Sequence, residues 1–337
     1  MTVEQVLRSG AEDGSRVPLP LRVDEELLLV MPDGAVAAAA PEVLAAVARE
    51  LAVRPRAAPH LVGSAPEAGT RLADVAGALS IARRALAEAA ADQGARLLAL
   101  GAVPFGGPAE EAPGSGATCA CQVSVTVPDP ELGPAVLERC RGWLPVLLGL
   151  TGNSALRRGR DTGWSSSRFL RETRAAARGG GDVPWARLAP AGDAVEFRIA
   201  DTCPTVADTV LLAALCRALT ATALVDEAAG RRQPDCADRA VEASTRAAAR
   251  WGLGTYVLDP VSGRPVQAVA ALAGLVTAVS RALGAAGDLP LVRSLLAARL
   301  RCGSGADRQR VLHQRHGDRR VLVQCLANGC AGVDRRR

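Results

Sequence analysis

The sequence predicts an α+β fold in which helices cover one side of an antiparallel sheet. Residues Cys119–Val127 and Ala194–Ala200 alternate polar and apolar side chains, as strands with one solvated face do. Arg71–Gln93 has apolar residues at helical spacing instead. Strands and helices interleave along the chain, and alternation prevails over continuous apolar runs, which favours an antiparallel sheet. No linker or repeat divides the chain, so we expect a single domain.

The first part of the chain supplies the first strand and the first two helices. Leu19–Val30 is β-prone and ends at the turn Met31–Gly34, a hairpin-type signal. Pro41–Leu51 is expected to be a short helix because proline stands at an early helical position. His60–Thr70 is ambiguous, and one interpretation is a second strand that crosses back. The long helix Arg71–Gln93 follows.

The middle of the chain alternates strands with a helix and polar loops. Ala95–Val103 is expected to be a strand, followed by a Gly- and Pro-rich loop before Cys119–Val127. Pro130–Leu150 is expected to be helical. Thr151–Ser167 is polar and punctuated by glycine, as a loop that carries functional residues would be.

The last part of the chain is mainly helical after the strand Ala194–Ala200. The expected helices are Thr205–Ala229, Asp235–Trp251, Pro265–Ala286, Leu289–Leu300 and a last one opening at Gly303. We expect the single domain to span residues 1–337, with flexible termini at 1–17 and 326–337.

The composition excludes several classes of function. All 40 basic residues are arginine, so a lysine nucleophile or Schiff base is impossible, and any cation that contacts phosphate or carboxylate must be Arg. Only 2% of the residues are aromatic and the net charge is +5, which argues against nucleic acid as a partner. Nine cysteines include no CxxC pair, and only three histidines are present, so a zinc site is not expected.

The same composition predicts where the protein works. The longest apolar runs are too short to span a bilayer, so we expect no membrane partner. Met1–Gly14 carries acidic residues and lacks the apolar stretch of a signal peptide. We therefore expect a cytoplasmic protein with reduced thiols.

Consecutive carboxylates at the start of the first strand are a candidate metal site. Asp24 and Glu26 point to one face of the strand and Glu25 to the other. Two neighbouring carboxylates repel each other unless a cation or a shared proton intervenes. Oxygen ligands of this kind suit Mg²⁺, which also binds substrate phosphates. The alternative is a solvated acidic edge where a strand leaves a loop.

Two further segments pair carboxylates with arginines. Glu196 and Arg198 share one face of a strand, where they either form a structural salt bridge or bind a metal and a phosphate or carboxylate, respectively. Arg160 and Asp161 lie between glycines after a helix. They form either a turn capped by Asp161 or a loop whose backbone and Arg160 bind an anion.

A set of short segments, taken in chain order, can be compared with a known family. The segments are Asp24–Val30, Pro66–Thr70, Thr118–Val125, Trp143–Leu148, Asn153–Ser154, Gly159–Gly163, Val195–Arg198, Asp201 and Gly303–Arg310. Their order resembles that of the glutamate–cysteine ligase type 2 family of carboxylate–amine ligases. The similarity covers about residues 18–325, and no single motif decides it.

The resemblance implies a glutamine-synthetase-like scaffold, a curved antiparallel sheet that forms a funnel with helices on its outer side. It also implies ATP and Mg²⁺ as cofactors and a γ-glutamyl phosphate intermediate that an amine converts to an amide. The substrates would be glutamate or a similar carboxylate and an amine such as cysteine, and the resemblance is compatible with a homodimer. This chemistry needs charge neutralisation and alignment more than a protein nucleophile.

The family's functional positions fall on residues of this sequence. The resemblance implies that Asp24, Glu26, Glu67 and Glu196 hold metal, with Gln122 as a weak additional ligand. Arg160 and Arg198 are implied in catalysis. Contacts to ATP are implied for Arg160, Arg198, Gln309 and Arg310.

Three departures from the family pattern affect the expected activity. The family's His-Val-His strand is here Gln122-Val-Ser124, a helical segment is replaced by the loop Gly106–Ala117, and Arg22 stands where glycine is usual. Loss of neutral nitrogen ligands weakens metal binding, by roughly 10–100-fold in the analogous loss of supporting ligands. We therefore expect weak glutamate–cysteine ligase activity. The alternative is a catalytically weakened homologue that binds a nucleotide or amino acid in a regulatory role.

Overall fold

A seven-stranded antiparallel sheet organises the computed structural model, which describes residues 18–47, 51–106, 118–232 and 236–330. The strands are β1 (Leu21–Val30), β2 (Val53–Pro55), β3 (Leu61–Ser64), β4 (Arg96–Leu98), β5 (Ala120–Thr126), β8 (Ala186–Leu188) and β9 (Ala194–Asp201). Their order is β2-β3-β1-β5-β9-β8, and β4 pairs with the end of β1 beyond β5. Two hairpins lie outside the sheet: β6 (Leu156–Arg157) with β7 (Arg160–Asp161), and β10 (Tyr256–Leu258) with β11 (Pro265–Gln267).

Twelve helices accompany these strands in the described part of the chain. They are α1 (Ala40–Ala46), α2 (Leu72–Asp92), α3 (Gly133–Arg141), α4 (Leu144–Thr151), α5 (Ser167–Arg178), α6 (Val206–Ala228), α7 (Asp238–Trp251), α8 (Ala268–Ala278), α9 (Ser280–Ala285), α10 (Leu289–Cys302), α11 (Gly305–Arg315) and α12 (Arg319–Cys330). A short 3-10 turn, Pro130–Leu132, precedes α3.

Helices cover one face of the sheet and leave the other face open, and the side chains of the central strand β1 alternate between the two faces. Leu21 and Val23 point into the main hydrophobic core, which α2 and α6 also line, and Leu27 enters a second cluster with α1 and α2. Arg22, between Leu21 and Val23, is only partly buried because it points to the other face. This alternation leaves one side of the sheet for polar side chains, as the sequence predicts.

The core helix α6 is long and apolar enough to cross a membrane by length and composition alone. However, 78% of its most apolar window is buried inside the protein. Its apolar residues pack against β5, β1 and the surrounding helices. Burial in the core accounts for this composition.

Helix α12 closes one end of the open face. Val323 and Ala327 form an apolar cluster with Leu28 and Val30 at the end of β1. A flexible end was expected from residue 326; α12 continues through residues 326–330, and Cys330 is buried. Residues 331–337 and 1–17 lie outside the described residues.

Two expected helices are divided, and α5 and α12 were not expected. Pro130–Leu150 breaks after Gly142, and α4 begins again with Pro145 in its first turn, where the missing N–H of proline costs nothing. Pro265–Ala286 begins with β11 instead of a helix, because its first residues pair with β10. Ser166 caps α5 by accepting a hydrogen bond from Phe169 N at 3.2 Å.

Candidate functional site

A row of polar residues crosses the open face of the sheet at one level. Directly paired residues on neighbouring strands point to the same face. Arg22 pairs with Ser124, and Ser124 pairs with Glu196. Arg187 of β8 completes the row opposite Glu196.

The next positions along the strands carry the other expected ligands. Asp24 pairs with Gln122 of β5, and Glu26 pairs with Gly63 of β3. Arg198 lies two residues after Glu196 on β9, so it shares its face. The structure thus brings five of the expected site residues to one face of the sheet: Asp24, Glu26, Gln122, Glu196 and Arg198.

Two of the expected metal carboxylates have arginine partners. Asp24 forms an ion pair with Arg56, from the segment after β2. Glu196 accepts a hydrogen bond from Arg187 Nε at 2.6 Å. The structural salt bridge weighed for Glu196 is therefore present, although its partner is Arg187 and not Arg198.

Glu26 differs from these carboxylates because it has no arginine partner within the described residues. Its Oε2 accepts a hydrogen bond from the backbone N–H of Ala120 at 2.9 Å. Burial raises the pKa of Glu26, and the negative charge of Glu172 adds to this rise. The Ala120 N–H and the charges of Arg168 and Arg198 oppose it. Glu26 is thus a desolvated carboxylate that an added cation would stabilise.

Arg22 and Arg198 supply positive charge on the same face. Both are only partly buried. Neither guanidinium group forms a hydrogen bond or ion pair within the described ranges, so both are available to an anion.

A buried polar network around Asp201 fixes the end of β9. One carboxylate oxygen accepts hydrogen bonds from Asn153 N at 2.8 Å and from Ser154 Oγ at 2.7 Å. The other accepts from Ser166 Oγ at 2.7 Å and from Arg168 Nε at 2.8 Å. Both carboxylate oxygens of Asp201 therefore fix the loop after α4 and the start of α5 to the sheet.

Helix α5 brings a carboxylate that sequence reasoning missed. Glu172 accepts a hydrogen bond from Arg168 Nη1 at 3.0 Å and is near enough to Glu26 to influence its pKa. Trp185 stacks on Phe169 and lies under the Arg168 guanidinium, at 4.7 Å and 5.4 Å between the respective centres. The i, i+4 spacing of Arg168 and Glu172 was the available signal.

The expected anion loop forms the hairpin β6–β7. Arg158 and Gly159 have φ values of 51° and 69° at its tip, and Arg160 is exposed beside them. Arg160 forms no hydrogen bond or ion pair in the part of the chain that the structure describes. Asp161 accepts from Gly163 N at 3.0 Å, so the capped turn is present, and its other oxygen accepts from Arg310 Nε at 3.0 Å.

Gln309, expected to contact ATP, is 2% exposed. Its Oε1 accepts from the backbone N–H of Ala155 at 3.0 Å and of Leu156 at 3.3 Å. Its Nε2 donates to Asn153 Oδ1 at 2.7 Å and to Asn153 O at 2.8 Å. These bonds make Gln309 a support for the chain that leads into the hairpin, and direct contact with a nucleotide would require breaking them.

Glu67 is exposed in the segment that follows β3. Over the described ranges, no three His, Cys, Asp or Glu side chains are grouped as a metal site would need. The four carboxylates expected to hold metal thus do not form one cluster. The loop expected to replace a family segment lies outside the described residues from 107 to 117.

Solved structures of ligases share this architecture. A glutamate–cysteine ligase from Francisella tularensis, solved in complex with AMP, has a TM-score of 0.66 at 10% identity, over 96% of this chain and 90% of that one. A bifunctional glutathione synthetase from Pasteurella multocida has a TM-score of 0.62 at 14% identity, over 94% of this chain and 52% of that one. The expected α+β ligase fold is confirmed.

Sequence comparison places the chain within that class. The model of glutamate–cysteine ligase family 2 matches residues 113–171 and 184–325. A protein of Saccharopolyspora erythraea is 33% identical over 92% of both chains, and one of Mycobacterium sp. (strain KMS) is 34% identical over 90% of this chain and 96% of its own. Both are named "Putative glutamate--cysteine ligase 2-2". The chain belongs to glutamate–cysteine ligase family 2, as its sequence motifs indicate.

Proposed function

We propose that the protein is an ATP- and Mg²⁺-dependent carboxylate–amine ligase. It would join the γ-carboxylate of glutamate, or a similar acid, to an amine such as that of cysteine, with weak activity. Family membership supports the ligase class. The AMP bound in the structurally similar Francisella tularensis ligase supports a nucleotide substrate.

The observation that carries the proposal is an unpaired acid and unpaired bases on one face of the sheet. Glu26 lacks an arginine partner within the described residues, and Arg198 and Arg22 lack any partner there. A divalent cation that bridges a carboxylate and a polyphosphate would satisfy the acid, while the polyphosphate would satisfy the guanidinium groups.

The donor set fits Mg²⁺ in the form that phosphate-bound Mg²⁺ takes in proteins, which is one or two carboxylates completed by water and substrate phosphates. Glu26 would be the principal ligand, because Asp24 and Glu196 already have arginine partners. The bound ion would supply neutralisation of phosphate charge. Gln122, opposite Asp24, can add at most a neutral amide oxygen.

The proposed reaction has two steps, neither of which needs a protein nucleophile. The substrate carboxylate oxygen attacks the γ-phosphorus of ATP, the bond to the bridging β–γ oxygen breaks, and ADP leaves. The amine nitrogen then attacks the acyl carbon, the bond to the phosphate oxygen breaks, and the nitrogen loses a proton as phosphate departs. Arg198 and Arg22 contribute by aligning and neutralising anionic oxygens, which is where such reactions gain most.

A second candidate is a catalytically weakened relative that binds a nucleotide or amino acid in a regulatory role. The arginine partners of Asp24 and Glu196 favour it, as does the presence of Gln122 and Ser124 where the resemblance implies histidines. Such a protein would keep the anion-binding arginines and lose turnover.

The test is ADP release with glutamate and a panel of amines, with and without Mg²⁺. The proposal predicts Mg²⁺-dependent ADP release that Glu26→Gln abolishes. Glu88→Gln, an exposed position on the outer side of α2, is the matched control and should be silent. ADP at background level with retained ATP binding would replace the ligase by the regulatory candidate.

A further inference from the structure

We propose that Arg56 is a fixed cation that takes the place of a divalent ion at Asp24. The inference deepens the proposed function, since it concerns which carboxylates of that site accept metal. It assigns a role to a residue outside the motifs that indicate the family.

The contact between Arg56 and the sheet is built into the fold. Arg56 follows β2, and its guanidinium group lies across Gly63 of β3. A Cβ atom at position 63 would lie only 2.7 Å from Arg56 Cζ, so the guanidinium group would have to shift if position 63 carried a side chain.

The ion pair with Asp24 is partly shielded from water. Arg56 Nη2 reaches Asp24 Oδ1 and also the carbonyl of Glu25 at 3.4 Å. The side chains of Arg56 and Asp24 are 18% and 25% exposed. Arg56 Nε is buried without a hydrogen-bond partner among the described residues, so the contact with Asp24 is the main polar anchor of this guanidinium group.

A guanidinium group and a divalent ion compete for one carboxylate. The guanidinium group is charged at neutral pH, although burial lowers the pKa of Arg56. A metal ion bound to Asp24 would lie within a few ångströms of that charge, and like charges at this distance repel each other. Arg56 thus holds Oδ1 of Asp24 and disfavours a divalent ion at the other oxygen.

The ion pair of Arg187 with Glu196 gives weaker support for an arginine that takes the place of a divalent ion. Arg187 is 43% exposed, and surface ion pairs of this kind exchange readily with water and salt. No glycine cradle is found beneath the Arg187 guanidinium among the described residues. The built contact is specific to Arg56.

The experiment counts Mn²⁺ ions bound per chain, by the electron paramagnetic resonance signal of free Mn²⁺, on the full chain without nucleotide. Arg56→Gln should raise the number by one, because Asp24 becomes a free carboxylate near Glu26. Adding Asp24→Asn to that variant should return the number to the wild-type value. Asp24→Asn alone should leave the number unchanged.

Arg139→Gln is the matched control. It breaks a comparably buried ion pair, with Glu227, whose side chains are 8% and 30% exposed. That variant should bind no additional Mn²⁺. A gain there as large as in Arg56→Gln would overturn the proposal, because any released carboxylate would then suffice.

Two other results would overturn it. One is a folded Arg56→Gln protein, with unchanged far-ultraviolet circular dichroism, that gains no Mn²⁺. The other is loss of a Mn²⁺ ion in Asp24→Asn alone, a result that would overturn the proposal even where Arg56→Gln fails to fold. Because variants are compared with each other, ligase activity does not enter. A wild-type count of zero with a gain of one in Arg56→Gln would support the role of Arg56 and leave the proposed ion at Glu26 untouched, because that ion also needs substrate phosphates.

Discussion

At the scale of single residues, the guanidinium group of Arg198 forms no hydrogen bond or ion pair within the described residues. We predict that Arg198→Ala weakens ATP binding by about 10- to 150-fold, the loss expected for one charge-assisted hydrogen bond of about 1.5–3 kcal/mol. Isothermal titration calorimetry with ATP and Mg²⁺ measures it. The melting temperature should stay within about 2 °C of wild type, because the Arg198 guanidinium group forms no hydrogen bond or ion pair among the described residues.

Arg84→Ala is the control for Arg198→Ala, because Arg84 is exposed on α2, which packs against the other face of the sheet. Its ATP affinity should equal that of wild type. Equal affinities in both variants would show that Arg198 does not contact the nucleotide.

Glu25 and Arg83 form a buried ion pair on the helix-covered face. The alternation of β1 predicts that Glu25 points to this face. Glu25 is 0% and Arg83 1% exposed, and they form two hydrogen bonds, at 2.6 and 2.9 Å. We predict that Arg83→Met lowers the free energy of unfolding by about 3–5 kcal/mol, because Glu25 is left charged and unpaired. Urea denaturation at pH 7 measures the loss.

The double variant Glu25→Leu with Arg83→Met separates the loss of a pair from the cost of an orphaned charge. It should recover most of the stability, since an apolar replacement of a buried pair is often neutral. Thr209 Oγ1 also donates to Glu25 at 2.6 Å and would lose its acceptor, so recovery should fall short by about 1 kcal/mol. An Arg83→Met variant as stable as wild type would contradict the prediction that Glu25 needs its arginine partner.

At the scale of elements, α11 supports the hairpin β6–β7 through one side chain. We predict that Gln309→Met lowers the free energy of unfolding by about 2–4 kcal/mol, because the backbone N–H groups of Ala155 and Leu156 lose their acceptor in a buried place. Gln314→Met, exposed on the same helix, should change it by less than about 0.5 kcal/mol. Urea denaturation of both variants checks this, and equal losses would refute a role for the buried amide.

Elements were predictable where one local rule governs a long segment. The alternation in β5 and β9 fixed which face Gln122 and Glu196 occupy, and the helical spacing in α2 fixed its bounds to within a residue. The short strands β2 and β8 were missed, because three residues carry too little periodicity.

Partners in space were not predictable in the same way. Nothing in the sequence pairs Asp24 with Arg56, which lies 32 residues away, since that contact depends on the turn after β2 and on the space above Gly63. Glu172 was missed for a related reason, because tertiary contacts such as the Asp201 network bring α5 to the site. The residue types indicated the chemistry of the site, whereas tertiary packing determines which side chains pair with each other.

At the scale of the whole molecule, the absence of lysine makes the cysteines dominate alkaline titration. The chain has nine cysteines, one tyrosine and no lysine. Burial raises the pKa of the thiols of Cys119 and Cys216 well above its usual value, that of Cys140 to about 12 and that of Cys330 to about 11. In the unfolded chain these thiols lose their protons near pH 8.5.

We therefore predict that the protein loses stability as the pH rises from about 8.5 toward 11. A raised native pKa means that the folded state holds protons that the unfolded state has released, so the stabilisation is complete below the unfolded pKa and declines above it. Each buried thiol contributes a slope of about 1.4 kcal/mol per pH unit between its two pKa values. Urea midpoints at pH 7.5, 9 and 10.5, measured with a reducing agent, should fall in that order. Cys302→Ser, at an exposed position, should leave the slope unchanged, whereas Cys140→Ala should reduce it by one thiol's share. A midpoint that stays level across this range would mean that water reaches the thiols, and that the core is less tightly closed than their burial indicates.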